Sequence, residues 1–271
     1  WTHEPKANAK PMSMDRGPAV ETKLEAMGLH VWYGATHALR GIGVAVPAGK
    51  TLAIIGASGS GKTALLRAFN RLHDLTLSTR VEGSVKLDGA EILGQHVDAA
   101  ALRRRVAMIF SRPTALPTSI FDNVVFGLRA KGMRDPALLA ERCERALRRA
   151  VLWEHVGSTL QAPATTLTSA LLQRLCLARA LALDPEVLLF DDPTGSLDPV
   201  AGAALEEVIM PLRRDHTVLL ATNNLEQAAR LSDATCYLAN GEVVETGETP
   251  LIFSRPTDIR TEDFLAGRPS R

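Results

Sequence analysis

Three cysteines are few for a chain of 271 residues, and Cys143, Cys176 and Cys236 lie far apart with no metal-type spacing. Two of them, Cys143 and Cys176, fall in helical patterns and read as buried, reduced thiols, which fits a cytosolic compartment. There is almost no charge imbalance. Lys and Arg total 31 against 30 Asp and Glu, and a formal net charge of +1 provides no global field to draw in nucleic acid. No apolar run approaches the ~20 residues of a membrane-spanning helix, and no signal-peptide pattern is present. A role at a membrane would therefore run through partners. Internal repeats, low-complexity stretches and linkers are absent between Val20 and Gly267.

What remains is an ordinary globular composition, 46% hydrophobic and 23% charged, in a chain long enough for one large α/β domain or two small ones. Residues 1–20 are rich in Pro, Lys, Asn and Ala without apolar periodicity and read as a disordered tail, so the expected domain is 21–271. The first residue is Trp1 rather than Met, which reads as missing upstream residues or a processed start.

Taken in order, residues 24–32 read as a strand ended by Tyr33-Gly34, and 42–46 as a second strand closed by Pro47-Ala48-Gly49-Lys50. Residues 51–55 form a buried apolar strand, 82–87 a strand ended by Asp88-Gly89, and 106–110 a short apolar strand. From 119 to about 156 the pattern is helical, with Asp135-Pro136 opening the helix that runs to about Ala150. The mixed charges of that helix, Glu141, Arg142, Glu144, Arg145, Arg148 and Arg149, read as a solvated face. Residues 171–183 are helical and Asp184-Pro185 breaks them. Strand 187–190, helix 200–213, strand 217–221 and helix 225–231 follow. A hairpin turns at Asn240-Gly241 within 235–245, and the tail is partly helical. This alternation implies a parallel sheet, with antiparallel strands early.

One stretch organises the rest. Gly56-Ala57-Ser58-Gly59-Ser60-Gly61-Lys62-Thr63 is G-x-x-x-x-G-K-T, placed after a strand and opening a helix. Its glycines let successive N–H groups face one concavity, which takes a polyphosphate at the positive end of the following helix. Lys62 adds a point charge for the outer phosphates, and Thr63 offers a hydroxyl to Mg²⁺. The plain alternative, a glycine-rich turn with a chance lysine, does not account for the flanking strand and helix. The second half of such a site is an acid at a neighbouring strand end. Asp191, after Val187-Leu188-Leu189-Phe190, suits a Mg²⁺ contact, and Asp192 beside it is placed to orient an attacking water.

The order of strand and Tyr-Gly, phosphate loop, helical insert, signature helix, Asp-Asp-Pro and Ser196-Leu197-Asp198 resembles ATP-binding cassette (ABC) transporter ATPases over residues 24–267. Phe110-Ser111-Arg112-Pro113-Thr114, Ser119-Ile120-Phe121-Asp122-Asn123, Leu66-Arg67-Ala68-Phe69-Asn70, Gln173-Arg174-Leu175-Cys176-Leu177-Ala178-Arg179 and Thr261-Glu262-Asp263-Phe264 look like its phosphate-importer subfamily. The resemblance implies an α/β P-loop NTPase of ABC ATPase type. Its RecA-like core has a parallel sheet, joined by an antiparallel β subdomain and a helical subdomain inserted at about 113–176. It further implies an ATP- and Mg-dependent subunit, peripheral on the cytoplasmic face of the plasma (inner) membrane. Such a subunit pairs head to tail, as a homodimer or with another ABC ATPase subunit, and drives transmembrane permease subunits docked on the insert. Tyr33 matches the aromatic that stacks on adenine. Thr168, Ser169, Ala170 and Leu171 stand at the signature that faces the partner's ATP, and Ser196, Leu197 and Asp198 at the dimer loop.

Several positions depart from the family's pattern. Ser111 stands where the family carries Gln, and Leu167-Thr168-Ser169-Ala170-Leu171 where it reads Leu-Ser-Gly-Gly-Gln. Asp192 replaces the catalytic Glu, and Asn223 the switch His. The residues that hold MgATP are intact, and those that hydrolyse and sense it are altered. Asp192 sits back from the water by about 1 Å, a misplacement that can cost ~10²-fold. Asn223 can donate a hydrogen bond but carries no positive charge, and loss of a well-aimed donor costs roughly 10²–10³. Ser111 is too short to bridge metal, water and insert, and Cβ atoms at 169 and 170 hinder close backbone approach. The sequence therefore supports a weakly hydrolysing ATPase subunit of a phosphate importer, or alternatively a non-hydrolysing nucleotide-binding regulatory or structural subunit. A chromosome-maintenance ATPase would need a coiled-coil insert, and no heptad run exists. A translation-factor type would need two such domains in one chain.

Overall fold

The computed structural model describes residues 21–94 and 96–268, so the tail expected at 1–20 lies outside the described residues. In chain order the elements are β1 (Thr22–Tyr33), β2 (Thr36–Pro47), β3 (Thr51–Ile55), α1 (Lys62–Phe69), β4 (Thr79–Leu87), β5 (Ala90–Glu91), α2 (Ala99–Arg105) and β6 (Val106–Ile109). Helices α3 (Ile120–Ala130), α4 (Pro136–Arg149), α5 (Trp153–Val156) and α6 (Ser169–Leu181) follow. The chain continues through β7 (Val187–Asp191), α7 (Pro199–Leu212), β8 (Thr217–Thr222) and α8 (Leu225–Leu231). It closes with β9 (Ala234–Ala239), β10 (Glu242–Glu248), α9 (Thr249–Ser254) and α10 (Ile259–Leu265).

Two sheets result. One is antiparallel, in the order β2-β1-β4-β5; the other runs β10-β9-β3-β8-β7-β6, parallel throughout except for the β10 edge. The apolar runs of β7 and β8 are buried on both faces, as a parallel sheet requires. Their side chains alternate with period 2. Val187, Leu189, Leu219 and Ala221 face one core with α1 and the antiparallel sheet, and Leu188, Phe190, Val218 and Leu220 face another with α3, α4, α6 and α7. Helix α1 thus lies between the two sheets, with Leu65, Leu66, Ala68 and Phe69 buried. An ion-pair cluster ties the sheets at their other end: Lys23 lies 2.9 Å from Asp88 and 2.5 Å from Glu186, and Arg105 meets the same two acids.

The structure corrects the sequence reading at several places. β2 begins at Thr36 rather than 42, because its first residues pair with β1 through Trp32 with His37 and Tyr33 with Thr36. α6 begins at Ser169 rather than 171, because Thr168 caps it and accepts from Leu171 N. Cys143 and Cys236 are buried, their thiols pushed up to about 12 and about 11 by burial, but Cys176 is only half-buried. The charged side of α4 is not wholly solvated either. Arg142 and Arg145 both pair with Asp184, and Arg149 Nη2 lies 2.6 Å from His216 Nε2, so this face docks the helix onto the core. Among the described residues no helix is long and apolar enough to cross a membrane.

Candidate functional site

The parallel sheet sets the candidate residues in a row. Ile55 pairs with Thr222, Asp191 with Ala221, and Ile109 with Phe190, so the C-terminal ends of β3, β8, β7 and β6 lie side by side. Just past those ends come Gly56, Asn223, Asp192 and Ser111 in turn. Open α/β sheets bind ligands beyond this carboxyl edge.

The phosphate loop is tightly built. Gly56 takes φ +152, and a Cβ there would overlap the Leu238 carbonyl and stand 2.7 Å from Ser60 Oγ. Gly61 takes φ +108 as the residue before α1, where a Cβ would lie 2.9 Å from Ala38 O. Only glycine meets both the handedness and the space. Ser60 N donates to Ala57 O at 3.1 Å, and Gly241 N to Ser60 O at 3.0 Å, which fastens the loop to the β9–β10 turn. Gly59, Ala57 and Ser58 lie at its exposed rim, and Ser60 Oγ is buried without a hydrogen-bond partner among the described residues. Lys62 Nζ donates to Gly56 O at 2.6 Å and Ala57 O at 2.9 Å, so its ammonium is folded back over its own loop. Burial lowers the Lys62 pKa, opposed by the charges of Asp192 and Asp191. A lysine held this way exchanges loop carbonyls for phosphate oxygens without moving far.

Thr63 Oγ1 donates to Asp191 Oδ1 at 2.8 Å. Burial raises both neighbouring carboxyls, and the charge of Asp191 raises Asp192 further. A hydroxyl and a carboxylate in contact, in an environment that penalises bare negative charge, are oxygen donors suited to a small hard cation.

Asp192 has φ +49, a left-handed conformation that Asp tolerates better than most residues. Its N–H donates to Ala221 O at 2.8 Å, and its carbonyl accepts from Gly195 N at 3.0 Å, which closes a turn. Asn223 is exposed, whereas Asn224 caps α8 by accepting from Gln227 N at 3.0 Å. Among the described residues Ser111 offers only its backbone to the neighbouring loop: its carbonyl accepts from Ser196 Oγ at 2.6 Å. Leu197 packs against the helical core, and Asp198 caps α7 by accepting from Val200 N and Ala201 N. Thr168 and Ser169 are exposed at the start of α6 with Ala170 and Leu171 partly covered, and no hydrogen bond among the described residues joins them to the phosphate loop. Tyr33 is half-buried against the core with its hydroxyl turned inward. The Arg67 guanidinium lies beside that hydroxyl, and burial raises the phenol pKa against Arg67's pull. Neither Tyr33 Oη nor Arg67 Nε completes a hydrogen bond among the described residues.

Sequence reasoning gave no role to two supporting residues, Gln173, quoted only within a subfamily-like run, and Gln227. Gln173 is buried inside α6 and donates from Nε2 to Phe110 O at 2.9 Å, which ties that helix to the loop after β6. Gln227 donates to Thr194 Oγ1 at 3.1 Å and to Glu206 Oε1 at 3.0 Å, which braces the turn after Asp192. Apart from that run, the signal in the sequence is a polar residue on an apolar helix face.

A family model described as ABC transporter matches residues 39–195. The chain is 42% identical over 262 residues to the phosphate import ATP-binding protein PstB of Idiomarina loihiensis, covering 97% of this chain and 96% of that protein. It is 44% identical over 259 residues to the phosphate import ATP-binding protein PstB 1 of Gloeobacter violaceus, covering 95% and 97%. Its fold is similar to that of cbiO1 from Clostridium perfringens, part of the ABC transporter complex cbiONQ, with a TM-score of 0.75, 26% identity, and coverage of 90% of this chain and 95% of that one.

Proposed function

The chain belongs to the ABC transporter family, and on that premise we propose that it is the ATP-binding, energy-coupling subunit of a phosphate importer, binding MgATP and hydrolysing it weakly. The observation that carries the reading is the phosphate loop at the head of α1, with Thr63 and Asp191 in contact at 2.8 Å beside it. The loop amides and Lys62 bind the polyphosphate, and Tyr33 supports the adenine. Thr63 and Asp191 hold Mg²⁺, which when bound offsets the phosphate charge. Asp192 takes the role of orienting the attacking water, with Asn223 as donor near the terminal phosphate. Hydrolysis adds the water oxygen to the γ-phosphorus and breaks the bond to the β,γ-bridging oxygen, leaving ADP and phosphate.

The assembly follows the same reading. Thr168 to Leu171 face the ATP of a second ABC ATPase subunit, identical or not, and Ser196, Leu197 and Asp198 line the contact between the two. The insert at about 113–176 carries the permease contact, which sets the chain at the cytoplasmic face of the membrane without entering it.

A fluorescent ATP analogue titrated with Mg²⁺ tests the core of this proposal. Saturable binding is expected in the unmodified chain and weakened binding in Lys62→Ala. No saturable binding up to millimolar concentrations defeats the reading, and unchanged binding in Lys62→Ala defeats the phosphate-loop assignment.

The second reading, a nucleotide-holding subunit that does not turn over, draws support from the exposed, uncharged Asn223 and from Ser111 offering only backbone. Single-turnover hydrolysis with the purified chain separates the two.

A further inference from the structure

We propose that His30 and His37 form a proton-sensing pair that weakens nucleotide binding when both rings are protonated. The inference rests on the ATP-binding reading above and adds a regulation to that site. Leu29, Val31 and Leu39 face the core, whereas His30, Trp32 and His37 lie together on the other face of the antiparallel sheet. A β-bulge puts His37 there. Val31 pairs with Leu39 but Trp32 with His37, so Ala38 is an extra residue in β2 and the strand switches faces across it. His30 Nδ1 lies 3.1 Å from His37 Nε2, and the ring centroids are 5.3 Å apart with planes 23° from parallel. The rings therefore meet edge to edge, as an N–H···N bond requires. Trp32 is covered on its β2 side by His37, 4.3 Å away, and on its β4 side by the Arg80 guanidinium at 3.9 Å. With both its faces taken, the cluster is not a stacking platform for a base.

The N–H···N bond survives only while one of the two nitrogens lacks a proton. The charged groups around it are Arg40 on β2 and Arg80 and Glu82 on β4. Glu82 stands opposite His30 in register, but its carboxylate pairs with Arg80 at 3.5 Å. Desolvation lowers the His37 pKa, and the charges of Arg40, His30 and Arg80 lower it further, against a backbone hydrogen bond with Leu39. The second proton therefore enters below the ordinary 6.5, and the pair breaks under mutual repulsion as pH falls. The break falls beside the nucleotide site. Ala38 O, next to His37, packs against the phosphate loop and the β9–β10 turn: a Cβ on Gly61 would stand 2.9 Å from it and one on Gly241 2.6 Å from it. Arg40 N donates to Gly241 O at 2.7 Å, and Gly241 N to Ser60 O at 3.0 Å. Tyr33 follows Trp32 directly. Displacing residues 37–40 thus moves the strand against which the phosphate loop is built.

The test measures the affinity of the purified full chain for the fluorescent ATP analogue with Mg²⁺ from pH 7.5 to 5.5, beside the double variant His30→Gln, His37→Gln. Asp191, Asp192 and the phosphates titrate in both proteins, so the difference between the two curves belongs to the pair. The variant is expected to match wild type within about twofold at pH 7.5 and to bind about fivefold more tightly than wild type at pH 5.5. Curves that run parallel, or a wild-type chain that gains on the variant in acid, overturn the proposal. Should the variant fail to fold, histidine-ring NMR titration of the wild type decides. By reciprocity, the pH at which the second proton enters the pair is expected to fall by about 0.7 when the analogue is saturating, which is the same fivefold factor. An unmoved midpoint, or two rings that titrate independently, overturns it. A wild-type chain that does not bind the analogue at pH 7.5 defeats the ATP-binding reading itself, and the proposal with it.

Discussion

Several residues of this site have a structural task that can be separated from the chemical one. Asp198 illustrates it. Its Oδ1 accepts from Val200 N at 3.0 Å and Ala201 N at 2.9 Å, an N-cap on α7, while its place in the chain puts it in the expected dimer loop. Asn caps a helix about as well as Asp, whereas Ala does not. Asp198→Ala is therefore expected to lose about 1 kcal/mol in urea unfolding, and Asp198→Asn only a few tenths. An Asn variant as unstable as the Ala variant would mean that charge, not capping, is what this residue supplies. Asp192 shows the same coupling from the other side. The left-handed backbone there suits Asp, which bonds locally at short reach, better than Glu. The loss of a methylene and the turn geometry belong together, so lengthening the side chain alone leaves the turn mismatched.

At the scale of elements, the packing that joins α4 to the sheet hinges on His216. Its Nδ1 donates to Pro185 O at 2.8 Å and its Nε2 accepts from Arg149, an arrangement open only to the neutral ring. Burial lowers its pKa first, then the charge of Arg149, against the weaker pull of Asp215 and Asp184. With the folded pKa below the unfolded one, the unfolded chain binds the proton first as pH falls. The stabilisation is thus complete above the unfolded pKa of about 6.5 and lost progressively as pH drops toward the folded value. Melting temperatures measured from pH 7.5 to 5 are expected to fall more steeply in wild type than in His216→Gln. Parallel slopes in the two would remove His216 as the cause.

Much of this architecture was legible in the sequence. The buried runs of β3, β7 and β8 are continuous and apolar, Ser119 and Asp135 stand at their helix starts, and Asn240-Gly241 marks the last turn. What escaped had weak local signals. Helix α2 is Ala-Ala-Ala-Leu-Arg-Arg-Arg, with one buried apolar residue and no periodicity, held by its Asp98 cap. The first half of β2 is broken by Gly41 and becomes strand only through its pairing with β1. The motif positions at Gly56, Asp191 and Asn223 come together at one sheet edge, but the left-handed backbone of Asp192 was not legible, because it is set by the turn that Gly195 N closes onto the Asp192 carbonyl.

At the scale of the whole molecule, and on the proposed reading of a head-to-tail pair, the altered positions fall on both of the faces that such a pair brings together. Ser111, Asp192 and Asn223 stand on the phosphate-loop side, along the strand-end row, whereas Thr168 to Leu171 open α6 with no hydrogen bond to that row among the described residues. Beside an intact relative, this chain would weaken one site by its own row and the other by the signature it presents. As a homodimer it would carry both defects in both sites. Groups that act on one event do not add, so Asp192→Glu alone is expected to recover little turnover. The chain carrying Ser111→Gln, Asp192→Glu, Asn223→His, Ser169→Gly, Ala170→Gly and Leu171→Gln together is expected to hydrolyse ATP at least ~10²-fold faster than wild type, the factor that the carboxylate shift alone supplies. Affinity for MgATP should stay near the wild-type value, because Lys62, Thr63 and Asp191 are untouched. Steady-state ATPase assays on the three proteins decide the matter. If the wild-type chain already matches the six-fold variant, the departures are harmless and the weakly hydrolysing reading gives way to that of an ordinary pump motor.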